Sequence, residues 1–379
     1  MAAEIVAGAT AASAASAGHN AISTDATHAI SLPSDAVDAV KDVMAGALVA
    51  FLAAGILVRL LSSPRFARLA MDVPNERSLH GAPTPRTGGI GLFLGAAVAW
   101  LLTGGGALGY LALLAGAISA IFLIDDVRSL SVGVRFTVQF VAAIGFAVLS
   151  GLQPLWLLPL LVIGIVWSMN LYNFMDGANG LAGGMAVIGF SAYALAAVAS
   201  GAIDLAIVSA IMAGAALGFL AWNFDPARIF LGDAGSIPLG FLAAAIGILG
   251  WQSGAWPFWF PLLVFSPFVL DATVTLMRRA LRGEKVWQAH KVHYYQRLVG
   301  LGWSHRRMAL SEYAVMTAAA GSALLLRAAG WLTAVALIVM WAAVYAVIAV
   351  TIDKRWEEKL SVGAAPHPNP LPMKNGERG

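Results

Sequence analysis

The 379-residue chain has no cysteine, so a disulfide framework, thiolate nucleophiles and sulfur-bound metals are all excluded. Charge is nearly as scarce. Only 11% of residues are Asp, Glu, Lys or Arg, against about 25% in a typical soluble domain. Apolar residues make up 59%, and the mean hydropathy is +0.79. A water-soluble domain of this length could not hide that much apolar surface in one core. The composition is that of an integral membrane protein.

Spanning about 30 Å of hydrocarbon takes about 20 helical residues. Eleven apolar runs approach that length: 44–62, 88–103, 106–124, 134–150, 155–169, 181–200, 205–222, 236–250, 256–277, 308–326 and 330–352. They are continuous and rich in Ala, Gly and Leu, whereas a transmembrane barrel alternates polarity over strands of about ten residues. The expected fold is all-α and polytopic, with ten or eleven transmembrane helices. Residues 1–40, rich in Ala and Ser, read as a flexible extension outside the cytoplasm. Residues 41–355 form the membrane domain, and 356–379 a disordered cytoplasmic tail.

With eleven crossings the loops alternate between sides. One side collects Arg59, Arg65, Arg68, Arg77, Arg86, Arg128, Arg135, Arg228, the basic residues from Arg278 to Arg307, and those of the C-terminus; the other has Lys41 and Arg327. The positive-inside tendency makes the first side cytoplasmic, with the N-terminus outside and the C-terminus inside. Topology thus accounts for most of the net charge of +3, and nucleic acid is not needed as a partner. As a set, the basic loops also suit an anionic substrate at the inner surface.

The same alternation brings five polar clusters to the cytoplasmic side: "MDVPNERSLHGAPTPRTGG", "LIDDVRS", "NLYNFMDGANG", "WNFDPARIFLGDAGS" and "QAHKVHYYQRLVG". Asp125 and Asp126 end an apolar run, where an unpaired buried charge is costly. They need a cation, a hydrogen-bond network or water, unless they are an ordinary interfacial pair. Asp233 stands between glycines that let backbone amides approach a ligand. Oxygen ligands from several loops, without cysteine and with few histidines, suit Mg²⁺ or Mn²⁺. Mg²⁺ commonly keeps phosphate oxygens as partners, which implies a phosphate or diphosphate substrate.

Phe230 and Asn223 precede Asp233 by three and ten residues. They can hold a nucleobase by stacking and hydrogen bonding, or serve as an interfacial aromatic and a helix cap. His290 and His293, flanked by Lys291 and Arg297, offer donors to a diphosphate. Asp271 lies inside the ninth run, as a functional carboxylate or as the partner of a nearby arginine.

In this order the motifs "DVPNERSLHGAPTPRTGG", "IDD", "NLYNFMDGANGLAGG", "NFDPARIFLGDAGS" and "HKVHYYQRL" resemble the polyprenyl-phosphate N-acetylhexosamine-1-phosphate transferases. The resemblance covers residues 44–350. It implies transfer of a sugar 1-phosphate from a UDP-N-acetylhexosamine to undecaprenyl phosphate at the inner face of a bacterial cytoplasmic membrane, with Mg²⁺ required. Carried over by motif, Asp233, Asn179 and Asp125 face the metal, and Asp125 and Asp126 form the essential acidic pair. Arg86, Asn173, Asp176, Asn223, Phe230, His293 and Arg297 contact substrate. His290 is both a substrate contact and a catalytic candidate. Related proteins suggest a homodimer.

Within the family, the pentapeptide transferases of peptidoglycan synthesis carry three adjacent histidines in the last cytoplasmic loop and tend to have Asp where this chain has Asn179. Both departures point away from peptidoglycan, and the loop "HKVHYYQRL" resembles that of the initiators of O-antigen synthesis, whose sugars are N-acetylglucosamine, N-acetylfucosamine or N-acetylquinovosamine. A transporter or flippase is the rival class. Transporter sites sit near the bilayer midplane within repeats, whereas these candidates cluster at helix ends.

Overall fold

A backbone crossing hydrocarbon has no water to satisfy its amides, so apolar runs of this length close their hydrogen bonds internally as helices. The computed structural model describes residues 34–66, 69–72, 83–104, 106, 108–285 and 291–364. Its helices are α1 Ser34–Leu61, α2 Gly88–Leu102, α3 Gly109–Arg128, α4 Val132–Leu149, α5 Leu158–Phe174, α6 Leu181–Ser200, α7 Ile203–Asn223, α8 Asp233–Gln252, α9 Trp259–Val264, α10 Ser266–Leu281, α11 Tyr294–Gly300, α12 His305–Leu326 and α13 Trp331–Ala364. Among the described residues nine helices are long and apolar enough to cross a membrane, and α2 is a shorter apolar helix.

The helices follow the apolar runs, but α1 begins at Ser34, inside the expected flexible extension 1–40, and α13 continues to Ala364, inside the expected tail 356–379, since a helix closes its own hydrogen bonds beyond the apolar run. The ninth run is divided. The expected run 256–277 is broken at Phe265 into α9 and α10. Pro267 has no N–H to offer the carbonyl four residues back, that of Leu263. The Ser266 hydroxyl donates to that carbonyl instead, at 2.7 Å. A proline inside α8 is handled in the same way. Pro238 cannot donate to the Ala234 carbonyl, and Ser119 Oγ from α3 takes it at 2.7 Å. This bond fastens α3 to α8 inside the bundle.

The centre of the bundle is α6, α7 and α8, with 72%, 61% and 78% of their apolar windows buried, against 17% for α13. Small residues let the backbones close up. A Cβ on Gly214 of α7 would run into the Ala47 carbonyl of α1. Two two-residue strands, β1 Met71–Asp72 and β2 Thr84–Pro85, pair antiparallel before α2. At about 1.5 Å per residue the 34-residue α13 is about 51 Å long. It outruns the hydrocarbon thickness and carries Asp353 beside α10 and α11.

Candidate active site

The α3 helix ends in Asp125–Asp126, and α8 begins at Asp233 after Gly232, which has no side chain to cap the helix. Asp126 supplies the cap from outside. Its Oδ1 accepts the Asp233 N–H at 3.1 Å and its Oδ2 accepts the Ala234 N–H at 3.0 Å. A carboxylate at a helix N-terminus is stabilised by the orphan amides and the helix dipole. Gly232 has φ +73°, and a Cβ there would meet Asp126 Oδ2 at 2.8 Å. The glycine is what lets the carboxylate approach.

Asp125 is wholly buried. Its Oδ1 accepts the Leu130 N–H at 2.6 Å, and Arg135 Nε stands 2.8 Å from its Oδ2. The Arg135 Nη1 lies 3.9 Å from Asp233 Oδ2, so one guanidinium spans two carboxylates from different helices. Asp233 is also within electrostatic reach of Asp125 and Asp126. The sequence reading assigned Arg135 only to topology. Its place in the first turn of the helix that follows the acidic pair was the available signal.

The segment before α2 is strapped to the one before α8. Phe230 N–H donates to Pro85 O at 2.7 Å, and Gly88 and Gly89 donate back to Phe230 O and Leu231 O, each at 2.9 Å. This places Arg86 beside Gly232. Its Nη2 pairs with Asp72 Oδ1 at 2.9 Å, and its charge also reaches Asp126 and Asp233. Asp72 was not among the candidates.

The loop between α5 and α6 is held from four sides. Tyr313 donates to Gly180 O at 2.6 Å, Tyr295 to Phe174 O at 3.1 Å, the Asn179 N–H to His305 Nδ1 at 3.4 Å, and the Gly180 N–H to Asn223 Oδ1 at 3.0 Å. Asn223 also donates to Ile229 O at 2.9 Å. Expected as a nucleotide contact, Asn223 is buried, with its donor and acceptor both used to tie this loop to the one before α8.

Asn179 Nδ2 donates to Asp225 Oδ1 at 2.9 Å. That leaves Oδ1, the one side-chain atom able to ligate a cation, uncommitted among the described residues. Asn173 Oδ1 takes a long 3.4 Å bond from Ser236. The Asp176 N–H donates to Asn173 O at 3.1 Å, and its carboxylate makes no hydrogen bond or ion pair among the described residues. The surrounding protein and the Asp233 charge push its carboxyl well above the usual carboxylate range.

On the histidine loop, His290 lies outside the described residues. His293 is buried, with Nδ1 3.1 Å from Asp271 Oδ1 and its ring stacked on Phe174 and Tyr295. Asp271 also accepts the Tyr294 and Tyr295 N–H groups at 3.0 and 3.1 Å, so it caps α11. Arg297, expected on substrate, is committed within the protein: Nη1 to Asp353 Oδ1 at 2.6 Å, Nε to Val292 O at 2.9 Å, and the guanidinium over the Tyr294 ring.

Among the described residues no three His, Asp or Glu side chains are arranged to close on one ion. Mg²⁺ needs no such cage, since it is usually held by one or two carboxylates plus waters and substrate phosphates. The donors here are all oxygen, and Asp176 and Asp233 are mutually repelling carboxylates; Asp233 has Arg135 at 3.9 Å, and Asp176 feels the charge of Arg86. That set fits a hard divalent ion. Asp125, expected as a third metal-side group, is instead committed to Leu130 and Arg135.

The family model for glycosyl transferase family 4 matches residues 108–251, which hold the acidic pair, the α5–α6 loop and Asp233. A "probable undecaprenyl-phosphate N-acetylglucosaminyl 1-phosphate transferase" of Bacillus subtilis is 33% identical over 313 residues, covering 76% of this chain and 87% of the relative. A decaprenyl-phosphate N-acetylglucosaminephosphotransferase of Mycobacterium tuberculosis is 32% identical over 328 residues, covering 71% and 78%. The match to a phospho-N-acetylmuramoyl-pentapeptide-transferase of Halalkalibacterium halodurans, 33% identical over 162 residues, covers 42% of this chain and 47% of that one.

Proposed function

Because the chain belongs to the polyprenyl-phosphate N-acetylhexosamine-1-phosphate transferase family, we propose that it transfers N-acetylglucosamine 1-phosphate from the UDP-sugar to undecaprenyl phosphate, releasing UMP. N-Acetylfucosamine and N-acetylquinovosamine are the neighbouring choices. The product, a lipid-diphosphate-sugar, starts a cell-envelope polysaccharide, O-antigen being one such. The single observation that carries the reading is the capping of α8 by Asp126, which joins two of the family's motifs into one acidic, arginine-edged site. The basic loops argue that this end of the bundle faces the cytoplasm, where UDP-sugars are found.

The reaction forms a bond between an oxygen of the lipid phosphate and the phosphorus next to the sugar, and breaks the diphosphate bond, with UMP leaving on the electron pair. Two anions must meet, so neutralisation and alignment dominate the catalytic task. Mg²⁺, when bound, supplies Lewis-acid stabilisation of phosphate oxygens. Asp233 and Asp176, with Asn179 Oδ1, carry the oxygens that would hold it. Arg86 and Arg135 place positive charge at the edges of the same cluster.

No general base is required, because the second pKa of a phosphate monoester is about 6 and the nucleophile is mostly ionised at neutral pH. Asp126 already accepts two backbone N–H groups, which favours a positioning role over proton abstraction. The pentapeptide-transferase alternative is disfavoured by the short match and by Asn179. Incubation of the purified protein with undecaprenyl phosphate, Mg²⁺ and a panel of UDP-sugars, with UMP as readout, tests the assignment. UMP release is expected with UDP-N-acetylglucosamine, and no release from any amino sugar would overturn it.

A further inference from the structure

Away from the carboxylate cluster, Trp222 at the end of α7 carries two cations. The guanidinium carbon of Arg59 stands 5.4 Å from the indole centroid, and that of Arg228 stands 5.5 Å away. The indole N–H donates to Gly55 O at 3.0 Å, which pins the ring to α1. The Arg228 N–H donates to Trp222 O at 2.9 Å, which folds the following loop back over it.

Both arginines are exposed, and neither meets a carboxylate among the described residues. By contrast Arg86, Arg135, Arg278, Arg279 and Arg297 each do. A cation–π contact at an exposed site offers only about 0.5–1 kcal/mol, and two like charges sharing one ring repel. An anion bound by both reduces the repulsion, and guanidinium groups bind phosphate with paired hydrogen bonds.

The surroundings indicate which anion. Leu48, Leu52 and Ile56 precede Arg59 on one face of α1 and are 58%, 50% and 61% exposed. A hydrocarbon chain can lie along this stripe, which ends at a guanidinium; a free inorganic anion has no use for it. The stripe ends on the side of the basic loops, where the positive-inside tendency expects the anionic inner leaflet. Tryptophan is at home at that boundary.

We propose that Arg59, Arg228 and Trp222 form a binding site for the phosphate of one anionic membrane phospholipid, with an acyl chain on the Leu48–Leu52–Ile56 stripe. The site shares no side chain with the carboxylate cluster and does not depend on the function assigned to it.

Native mass spectrometry of the full-length protein, mixed with equal amounts of dioleoyl phosphatidylglycerol and dioleoyl phosphatidylcholine, tests this. The wild type retains one phosphatidylglycerol in preference to phosphatidylcholine. Arg59→Gln with Arg228→Gln weakens that binding about thirtyfold, as expected for losing two interfacial cations at about 1 kcal/mol each. Equal binding by this variant overturns the proposal. Displacement of the lipid by excess inorganic phosphate overturns the lipid assignment in favour of a free anion. Should the double variant not remain monodisperse, Arg228→Gln alone alters one exposed side chain and is expected to weaken binding about fivefold; unchanged affinity there also overturns the proposal.

Discussion

Asp126 accepts the backbone N–H of Asp233, 107 residues further along the chain, at 3.1 Å. The end of one helix thereby becomes the cap of another, and the acidic pair and the Gly-Asp motif become a single site. Capping and negative charge are separable. Asp126→Asn keeps only one of the two oxygen acceptors for the α8 amides, turns an NH2 group toward the other N–H and loses the charge, whereas Asp126→Ala loses both acceptors and the charge. The alanine variant is expected to lower unfolding stability by about 1 kcal/mol, as for other lost caps. The asparagine variant, with one acceptor left, should lose a smaller part of that stability while UMP release falls about 100-fold. Equal melting losses in the two variants would refute the capping role.

Arg135 neutralises a buried Asp125 and approaches Asp233. Its side chain is 36% exposed, so the loss from Arg135→Gln falls below the roughly 3–5 kcal/mol of fully buried pairs, at about 2 kcal/mol. Thermal unfolding in detergent measures it. Arg135→Lys keeps the charge without the fork geometry and should recover most of the stability but less of the turnover.

Asn179 and Asp225 make a donor–carboxylate pair at 2.9 Å. Asn179→Asp sets two carboxylates against each other, and UMP release should drop at least about tenfold, the change expected from about 1.4 kcal/mol of lost alignment. The double variant Asn179→Asp with Asp225→Asn restores a donor opposite an acceptor and should regain activity. Failure to recover, with the fold intact, would show that Asn179 acts through something other than this pair.

Asp353 binds both Arg278 and Arg297, at 2.7 and 2.6 Å, and both guanidiniums lie over Tyr294. Asp353→Asn should raise hydrogen exchange across α11 while the α5–α6 loop stays protected. Since Arg297 is held by the protein, Arg297→Gln is expected to reproduce that exchange signature. A rise in KM for the UDP-sugar without any change in α11 exchange would instead make Arg297 a direct substrate contact.

Local composition determined much of this protein. The apolar runs, their helical state and the clustering of polar motifs at helix ends follow from how much apolar length a bilayer requires and from the lack of water in its core. Even the break at Phe265 is traceable to Pro267, which removes a backbone donor, although the run reads as continuous because proline interrupts the hydrogen bonding without interrupting the apolar composition.

The tertiary structure alone decided how the polar side chains are spent. Asn223, Arg297 and His293 carry the right chemistry for a substrate, yet their groups are used to tie one loop to another or to cap and brace α11. Arg135, Asp72 and Asp225 looked like ordinary loop charges until packing set them against the candidates. A residue type states which bonds a side chain can make. Which partner it meets depends on contacts between residues far apart in sequence, and those exist only once the helices have packed.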